Sequence, residues 1–317
     1  MIDYLRRRIP KNEFDIIHAH DVLSLLAFAK IPQKKVLTLH GYFAGENIEF
    51  IESEEDRKAV YPLLLEAEKE AMKYADHVIT VDERLKEYVM SQFEYPVDRI
   101  TVMHNAVDTN RFTPISEEEQ QELKKTLGFS PDNCVILVPR RLVEKNGVIY
   151  AVRAMKHVKS ENIRMIIAGD GPERERIAKE AREDSKICFA GLIPHDIIGP
   201  YYRMADIILI PSITTHGVQE ASSLAMLEGM ACGKVVICSD IGGMREIIQD
   251  MENGIPVPEK DPVALAKAIK TVIENRGLSV EIGTKAREYV LQSHSFIIHA
   301  GKVVQIYHSL VGDETNV

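Results

Sequence analysis

Nine short runs of branched and apolar residues recur along the chain, and they constrain its fold more than any other feature. The runs occupy residues 14–20, 35–40, 77–81, 99–104, 134–140, 164–169, 186–191, 206–212 and 234–240. Most are almost continuously apolar, as strands of a parallel sheet are when both of their faces are buried. Stretches with the period of a helix lie between them, for example at 57–75 and 146–158. This alternation predicts an α/β protein with parallel sheets.

The length of the chain, 317 residues, exceeds what one hydrophobic core usually holds, so two domains are expected. A boundary is predicted within 108–131, where Ser116 and Glu119 have the spacing of a capping box at the start of a polar helix. A last helical stretch follows a polar break near residue 293. The predicted division is an N-terminal domain over 1–115, a second domain over 116–293 and a C-terminal helix over 294–317.

Composition and charge exclude several classes of protein. The chain has 39 Lys and Arg against 48 Asp and Glu, and its formal net charge of −9 argues against a nucleic-acid binder. No apolar run is as long as a membrane span, and no signal peptide is expected. The four cysteines form no CxxC pair, which is typical of reduced thiols in a cytoplasmic protein.

The segment after the 206–212 run contains two glutamates, one before a predicted short helix and one within it. Ser222 or Ser223 is a good N-cap for an apolar helix that begins at Leu224, with Glu220 before it and Glu228 within it. Unpaired N–H groups at such a helix start can hold an anion, and the flanking carboxylates can accept hydroxyl hydrogen bonds. A nucleotide-sugar fits this pattern. The alternative is that Glu228 forms an interface ion pair and Glu220 is solvated.

A basic segment follows the 134–140 run, at a place where open α/β sheets bind ligands. Residues 140–147 read RRLVEKNG, and an Arg with Lys145 is a plausible clamp for a diphosphate. A basic, solvated turn is the alternative. Two glycine turns also follow strand runs, at 169–172 and 189–191, where glycine would allow the backbone to approach a ligand closely. They are equally compatible with ordinary turns.

Histidines end the first two strand runs. His18 and His20 share a face, Asp21 follows them, and His40 ends the next run. No third metal ligand is indicated by spacing. Either these are hydrogen-bonded strand-end histidines, or His40 or Asp21 touches the reacting sugar between the two domains.

Taken in order, these motifs resemble the family 4 glycosyltransferases of the GT-B fold. The resemblance runs from about residue 14 to about residue 310 and includes DIIHAHD, VLTLHG, RRLVEKNG, IIAGDGP, the two glutamates separated by seven residues, and EGMACGK. It implies two Rossmann-like domains, with the last helix crossing back onto the first. It also implies a retaining transfer from a nucleotide-diphospho-sugar, with no cofactor and no essential metal.

The resemblance also assigns roles to individual residues. Glu228 would accept the ribose hydroxyls, Glu220 would contact the donor sugar, and Arg141 would neutralise the diphosphate. The catalytic set that it implies is His40, Arg141, Lys145 and Glu220. The donor-binding set is Arg141, Lys145, Gly169, Gly171, Ile193, Glu220, Ser222, Ser223, Leu224 and Glu228.

Two departures from the family pattern stand out. The lysine that usually lies five residues after the arginine is replaced by Asn146, with Lys145 one residue earlier. The opening strand and glycine-rich loop of the family do not match any part of residues 1–13, so the N-terminal domain is expected to be incomplete. Because open sheet edges pair with other chains, a homo-oligomer or a partner chain is expected to cover the gap.

The acceptor, whether a glycan, a lipid or a small molecule, is not specified by the sequence, and peripheral contact with a membrane is compatible with it. Two other functions remain open at this point. One is a catalytically impaired nucleotide-sugar-binding or scaffold subunit that needs a partner chain. The other is a sugar-nucleotide epimerase of similar architecture.

Overall fold

The structure is a computed structural model that describes residues 14–48, 51, 53–182 and 184–312. Contacts within the chain divide it into two units. The first comprises the residues up to His104 and those from His299 onward, and the second comprises Asn105–Ile298. Each unit contains one sheet in which every strand pair is parallel, so the predicted α/β class is confirmed.

The first unit has a four-stranded sheet in the order β1-β2-β3-β4. Its strands are β1 (Ile16–Ala19), β2 (Lys34–Leu39), β3 (His77–Thr80) and β4 (Ile100–Val102). Four helices connect these strands or follow them: α1 (Val22–Ala27), α2 (Phe43–Asn47), α3 (Glu54–Tyr74) and α4 (Glu83–Phe93). A side chain caps the start of the helix that follows β1. Asp21 caps α1 in this way, accepting from the Ser24 N–H at 2.8 Å.

The second unit has a six-stranded sheet in the order β10-β9-β8-β5-β6-β7. Its strands are β5 (Cys134–Pro139), β6 (Ile163–Ala168), β7 (Ile187–Gly191), β8 (Ile207–Ile210), β9 (Val235–Ser239) and β10 (Ile255–Val257). Its helices are α5 (Glu117–Thr126), α6 (Val148–Met155), α7 (Arg174–Ala181), α8 (Gly199–Met204), α9 (Leu224–Ala231), α10 (Gly242–Ile247), α11 (Pro262–Glu274) and α12 (Arg276–Ser293). The chain runs outward from β5 to β7 and then returns to β8, so the strand order reverses between β5 and β8.

All nine predicted strands are present, and the structure adds β10. This strand has three residues and contains Pro256, so it is too short to show periodicity and has the composition of an edge strand. The predicted capping box at the start of α5 is confirmed, with Ser116 N–H donating to Glu119 at 2.8 Å and Glu119 N–H donating to Ser116 Oγ at 3.2 Å. None of the described helices is both long and apolar enough to cross a membrane.

Alternate residues of the central strands enter different cores, which explains their continuous apolar runs. In β2, Leu37 packs with one buried cluster and Val36 with another. In β5, Ile136 and Leu137 separate in the same way. Full burial of each such side chain stabilises the fold by about 1.5–3 kcal/mol. The last helix, α13 (Phe296–Val311), covers one face of the first sheet, where Ile306 is buried with Val36.

The segment that links the two units belongs to the second. The first unit ends at His104, eleven residues before the boundary placed at 115, because the following residues bond to the second unit. Asn105 Nδ2 donates to the Ser222 carbonyl at 2.6 Å, and Phe112 is buried in the core of the second unit. Similarly, the first unit resumes at His299 rather than at residue 294. The expected incompleteness of the first domain, and the partner that would cover it, stay predictions.

Candidate active site

The reversal of strand order between β5 and β8 sets the position of the candidate site. Open parallel sheets bind ligands at the carboxyl ends of the strands, where the order reverses. Arg140 follows β5 directly, and Ser212 follows β8 after one intervening residue. The guanidinium of Arg140 donates from Nη2 to Ser212 Oγ at 2.9 Å and so bridges the two strand ends.

Arg140 is the centre of a buried polar group, which we call the Arg140 cluster (Arg140, Asn146, Ser212, Glu220 and Ser223). Both terminal nitrogens of its guanidinium bond to the Glu220 carboxylate, at 2.8 and 3.3 Å, and Nη1 also donates to Ser223 Oγ at 3.0 Å. Arg140 is only 8% exposed. A two-pronged ion pair of this kind is directional and stronger than a neutral hydrogen bond, so it fixes the Glu220 side chain.

The charge state of Glu220 follows from this pairing. Burial alone would raise the pKa of the carboxyl, but the charge and hydrogen bonds of Arg140, with smaller contributions from Lys145 and Ser212, outweigh it. The pKa of Glu220 therefore lies below its ordinary value, and the residue is a carboxylate at neutral pH. The alternative in which Glu220 is merely solvated is wrong, because Arg140 holds it in the strand-end network.

The basic turn after Arg140 is shaped by Asn146. This asparagine is buried, its Oδ1 accepts from Arg140, and its Nδ2 donates to the carbonyl of Arg141 at 2.7 Å. The Arg141 side chain is exposed, and Lys145 is half-buried. The position where the family has lysine therefore serves to hold the arginine turn together, while Arg141 and Lys145 carry the more accessible charges.

The start of α9 has the bounds predicted for it but no side-chain cap. Ser223 occupies the N-cap position, yet no side chain caps the helix, since its Oγ accepts from Arg140. The Oγ of Ser222 accepts from the Asn105 N–H at 2.9 Å. Both serines are buried, whereas Leu224 is 52% exposed. Ser223 is therefore the N-cap residue, as predicted, but its side chain makes no hydrogen bond to the first turn of this eight-residue helix.

Glu228 lies within α9 in a second group, which we call the His195 cluster (Arg111, Phe112, His195, Tyr202 and Glu228). His195 Nε2 lies 2.8 Å from Glu228 Oε1, and the buried Tyr202 hydroxyl also bonds to this carboxylate. Burial, followed by the Glu228 charge, raises the pKa of Tyr202 well above its usual value, so the phenol is a neutral donor. Within this unit the partners of Glu228 are a phenol and an imidazole, and the alternative of an ion pair at an interface stays open.

Gly169 and Gly171 pack against the backbone of the arginine turn. A Cβ at Gly169 would lie 2.0 Å from the Arg140 carbonyl oxygen, and one at Gly171 would lie 2.4 Å from that of Leu142. Glycine is therefore required at both positions for close packing against the arginine turn, a structural role that differs from the predicted approach to a ligand. Their contact with a donor stays a prediction, as does that of Ile193, which is half-buried against the core.

Histidines converge at the carboxyl ends of β1 and β2 in the first unit. His18 bonds to Tyr307 Oη and Thr38 Oγ1, both at 2.7 Å, and His20 Nδ1 lies 3.1 Å from His40 Nε2. Burial, then the neighbouring histidines, lowers the pKa of His18 to about 4 and lowers that of His40. The part of the chain that the structure describes contains no group of three or more His, Cys, Asp or Glu residues able to hold a metal ion.

Sequence reasoning assigned no role to Arg140, Ser212, Arg111, His195 or Tyr202, and it noted Asn146 only as the residue that replaces the family lysine. Arg140 had no assigned role because the family pattern matches Arg141. The two arginines are adjacent in the sequence, and only the fold determines that Arg140 is the buried one. His195 and Tyr202 lie in a stretch without a distinctive motif. The sequence signal that could have found Arg140 is its position directly after the apolar run of β5, where the strand ends of an open sheet meet.

Comparisons with known proteins agree with this architecture. Models described as "Glycosyl transferases group 1" and "Glycosyltransferase Family 4" match residues 119–289 and 1–111. An uncharacterized glycosyltransferase of Methanocaldococcus jannaschii is 30% identical over 305 residues, which are 93% of this chain and 75% of that protein.

Solved structures share the fold at lower identity. Sucrose-phosphate synthase of Thermosynechococcus elongatus has a TM-score of 0.81 at 21% identity, covering 98% of this chain and 77% of that one. HepE of Anabaena in complex with UDP has a TM-score of 0.80 at 20% identity, covering 98% and 82%. The chain therefore belongs to the group 1 glycosyltransferases, within family 4, and has their GT-B fold.

Proposed function

We propose that this chain transfers a sugar from a nucleotide-diphospho-sugar to an acceptor hydroxyl, with retention of the anomeric configuration. The observation that carries the proposal is the start of α9. There, N–H groups without a side-chain cap lie, along the chain, between the half-buried carboxylate of Glu220 and the buried carboxylate of Glu228. The UDP bound to HepE, a protein of similar fold, supports a nucleotide as the ligand class.

The donor would be held by its charges and its hydroxyls. The N–H groups of Ser223 and Leu224 would cap the diphosphate, since a helix start favours negative charge. Glu228 would accept hydrogen bonds from the ribose, and Glu220, fixed by Arg140, would contact the donor sugar. The separate partners of the two glutamates suit them to two different sugar rings.

Arg141 and Lys145 would neutralise the diphosphate. Arg141 is exposed and Lys145 is half-buried, so both can reach a ligand, whereas Arg140 is occupied by Glu220 and Asn146. Lys145 would take the role of the lysine that the family has at position 146. We further propose that these fixed charges suffice without a metal ion or a cofactor.

The remaining contacts are proposed from the family pattern. Ile193 would line the site of the nucleobase, and Gly169 and Gly171 would let the backbone approach the donor. His40 of the first unit would lie near the reacting carbon. The acceptor and the expected cytoplasmic location stay predictions.

The chemical step is a substitution at the anomeric carbon. The bond from that carbon to the diphosphate oxygen breaks, and its electron pair leaves with the phosphate. The acceptor oxygen bonds to the same face, and its proton passes to the departing phosphate oxygen. Charge therefore accumulates on the diphosphate, where each preorganised donor contributes roughly 3–4 kcal/mol to transition-state stabilisation.

Calorimetric titration with UDP, GDP and ADP tests the donor class, and release of nucleoside diphosphate from the matching nucleotide-sugars tests turnover. Binding of one nucleotide, with sugar appearing on an acceptor or on water, supports the proposal. Binding without sugar release would instead indicate a scaffold subunit. An altered sugar nucleotide formed without an acceptor would indicate an epimerase, and binding of none of the three would contradict the proposal.

Arg141→Ala is the most direct test of the clamp. We expect turnover to fall by about a hundredfold or more, because one donor to the developing charge is removed while the buried network is kept. Arg182→Ala removes an exposed arginine at the end of α7 and should leave turnover unchanged. Equal turnover in Arg141→Ala and the wild type would show that the clamp is assigned to the wrong residue.

A further inference from the structure

The side chain of His195 faces Glu228 rather than the solvent that surrounds most of its surface. Its imidazole is 67% exposed, yet its Nε2 lies 2.8 Å from Glu228 Oε1. The Glu228 side chain is 9% exposed. An exposed imidazole held in one orientation against a buried carboxylate requires other contacts, and the adjacent residues Arg111 and Phe112 supply them.

Arg111 sets both the position and the tautomer of His195. Its guanidinium donates to the His195 carbonyl oxygen, and its Nη1 lies 3.2 Å from His195 Nδ1. Since a guanidinium nitrogen can only donate, Nδ1 must act as the acceptor. The ring proton of the neutral imidazole therefore lies on Nε2, where it is donated to Glu228.

Aromatic packing supports both His195 and Arg111. The ring of Phe112, which is fully buried, lies 5.9 Å from the His195 ring and 5.3 Å from the guanidinium carbon of Arg111. Phe112 also meets the Tyr202 ring edge-on at 5.4 Å. One buried phenylalanine thus supports the two side chains that donate to Glu228.

We infer that His195 is a positioning residue for ribose recognition, which it performs by fixing the Glu228 carboxylate through Nε2–H. With His195 on Oε1 and the Tyr202 phenol as a second donor, Glu228 is held in one orientation, and its remaining lone pairs are left for the hydroxyls of a ribonucleotide. The ligand class is a ribonucleoside diphosphate rather than its 2′-deoxy counterpart. This inference rests on the proposed function, because it takes Glu228 to be the ribose-binding residue.

The expected consequence is a preference that depends on His195. The wild type should bind the ribonucleotide at least about tenfold more tightly than the 2′-deoxynucleotide. In His195→Ala, Glu228 keeps its charge but loses the donor that orients it, so the preference should fall to about threefold or less. His195→Gln, whose amide can donate in place of Nε2–H, should recover part of the preference, and Arg111→Ala should lie between the two.

The experiment is calorimetric titration of the full chain with UDP, GDP and ADP, each against its 2′-deoxy form. His157→Ala, which removes an exposed histidine of the same unit, is the matched control and should keep the wild-type preference. A purely structural role for His195 would weaken both forms of the nucleotide alike. The ratio of the two dissociation constants therefore separates positioning from folding.

The outcomes are distinct. An unchanged ribose preference in His195→Ala, or equal weakening of both nucleotide forms, overturns the inference while leaving the proposed function intact. Tighter binding of both forms by His195→Ala would mean that the histidine competes with the ligand for Glu228, which also overturns it. Failure of the wild type to bind any of the three nucleotides overturns the proposed function, and this inference with it.

Discussion

The two units contain the same kind of parallel sheet but end their strands in different chemistry. In the second unit, the buried arginine that follows β5 is paired at 2.8 Å with Glu220, a carboxylate in the loop between β8 and α9. In the first, β1 and β2 end in histidines that bond to hydroxyls and to one another. One edge has charges that persist across the neutral pH range, and the other has groups that titrate.

The difference teaches that the same kind of parallel sheet can end in two kinds of polar network. The Arg140 cluster keeps Glu220 charged and fixed, so the second unit retains a carboxylate acceptor across the neutral pH range. Lowered pKa values keep His18 and His40 neutral at pH 7, so these two histidines contribute hydrogen bonds rather than charge to the first edge.

The largest effect should come from removing the ion pair between Arg140 and Glu220. Arg140→Ala leaves Glu220 as a buried carboxylate without its cation, and removes the partner of Asn146 and Ser212. We expect the free energy of unfolding to fall by about 3–5 kcal/mol, as measured by urea denaturation. Arg141→Ala, at an exposed position, should change it by no more than about 0.5 kcal/mol.

A double variant sharpens this prediction. Arg140→Met with Glu220→Leu removes both charges and keeps apolar volume, so it should be clearly more stable than Arg140→Ala. If Arg140→Ala costs no more than Arg141→Ala, the strand-end pair does not stabilise the second unit, and the contrast between the two edges fails.

The next effect concerns pH and the histidine edge. His18 has a pKa of about 4 in the fold against 6.5 when unfolded, so below pH 6.5 the unfolded chain binds the proton first. Stability is therefore fully present above pH 6.5 and is lost as the pH falls toward 4, by about 2–3 kcal/mol. Over most of this range the Arg140 cluster should keep its charge, since the pKa of Glu220 lies below 4.5.

Urea unfolding of the wild type and of His18→Gln between pH 7 and pH 4 measures this contribution as the difference between their slopes. His157→Gln, at an exposed position in the second unit, should follow the wild-type profile. Parallel profiles for His18→Gln and the wild type would show that His18 is not held neutral. The contrast between the strand ends of the two units would then lose its main support.

The smallest effect should come from removing one neutral hydrogen bond of the histidine edge. Tyr307→Phe deletes the hydroxyl that lies 2.7 Å from His18 Nδ1, and we expect a loss of about 1 kcal/mol in the free energy of unfolding. Tyr61→Phe, at an exposed tyrosine of the same unit, should have no measurable effect. A loss as large as that of Arg140→Ala would remove the distinction between the Arg140 cluster and the histidines that follow β1 and β2.

Much of the fold could be predicted from local sequence. The nine strand runs, the capping box at Ser116 and the bounds of α9 at Leu224–Ala231 follow from periodicity and capping chemistry, which act over a few residues. The order of motifs likewise indicated the family. The short strand β10 escaped because three residues carry no period.

The partners of the site residues could not be predicted in this way. Arg140 and Arg141 are neighbours of the same type, and burial of the first depends on Glu220, eighty residues further along the chain. Ser223 is the N-cap of α9, as predicted, but the partners of the two serine hydroxyls, Arg140 and Asn105, also come from distant segments.

The amino-acid sequence by itself determined that this chain forms two sets of buried parallel strands. It also determined that an apolar helix, preceded by Glu220 and containing Glu228, follows one strand of the second set. Those features depend on side-chain pattern and on backbone propensity, both of which are local. Only the tertiary structure decided that Glu220 has a cation and Glu228 a histidine and a phenol. Ion pairs and buried hydrogen bonds join residues from distant segments, and these become neighbours only when the strands are ordered in the sheet.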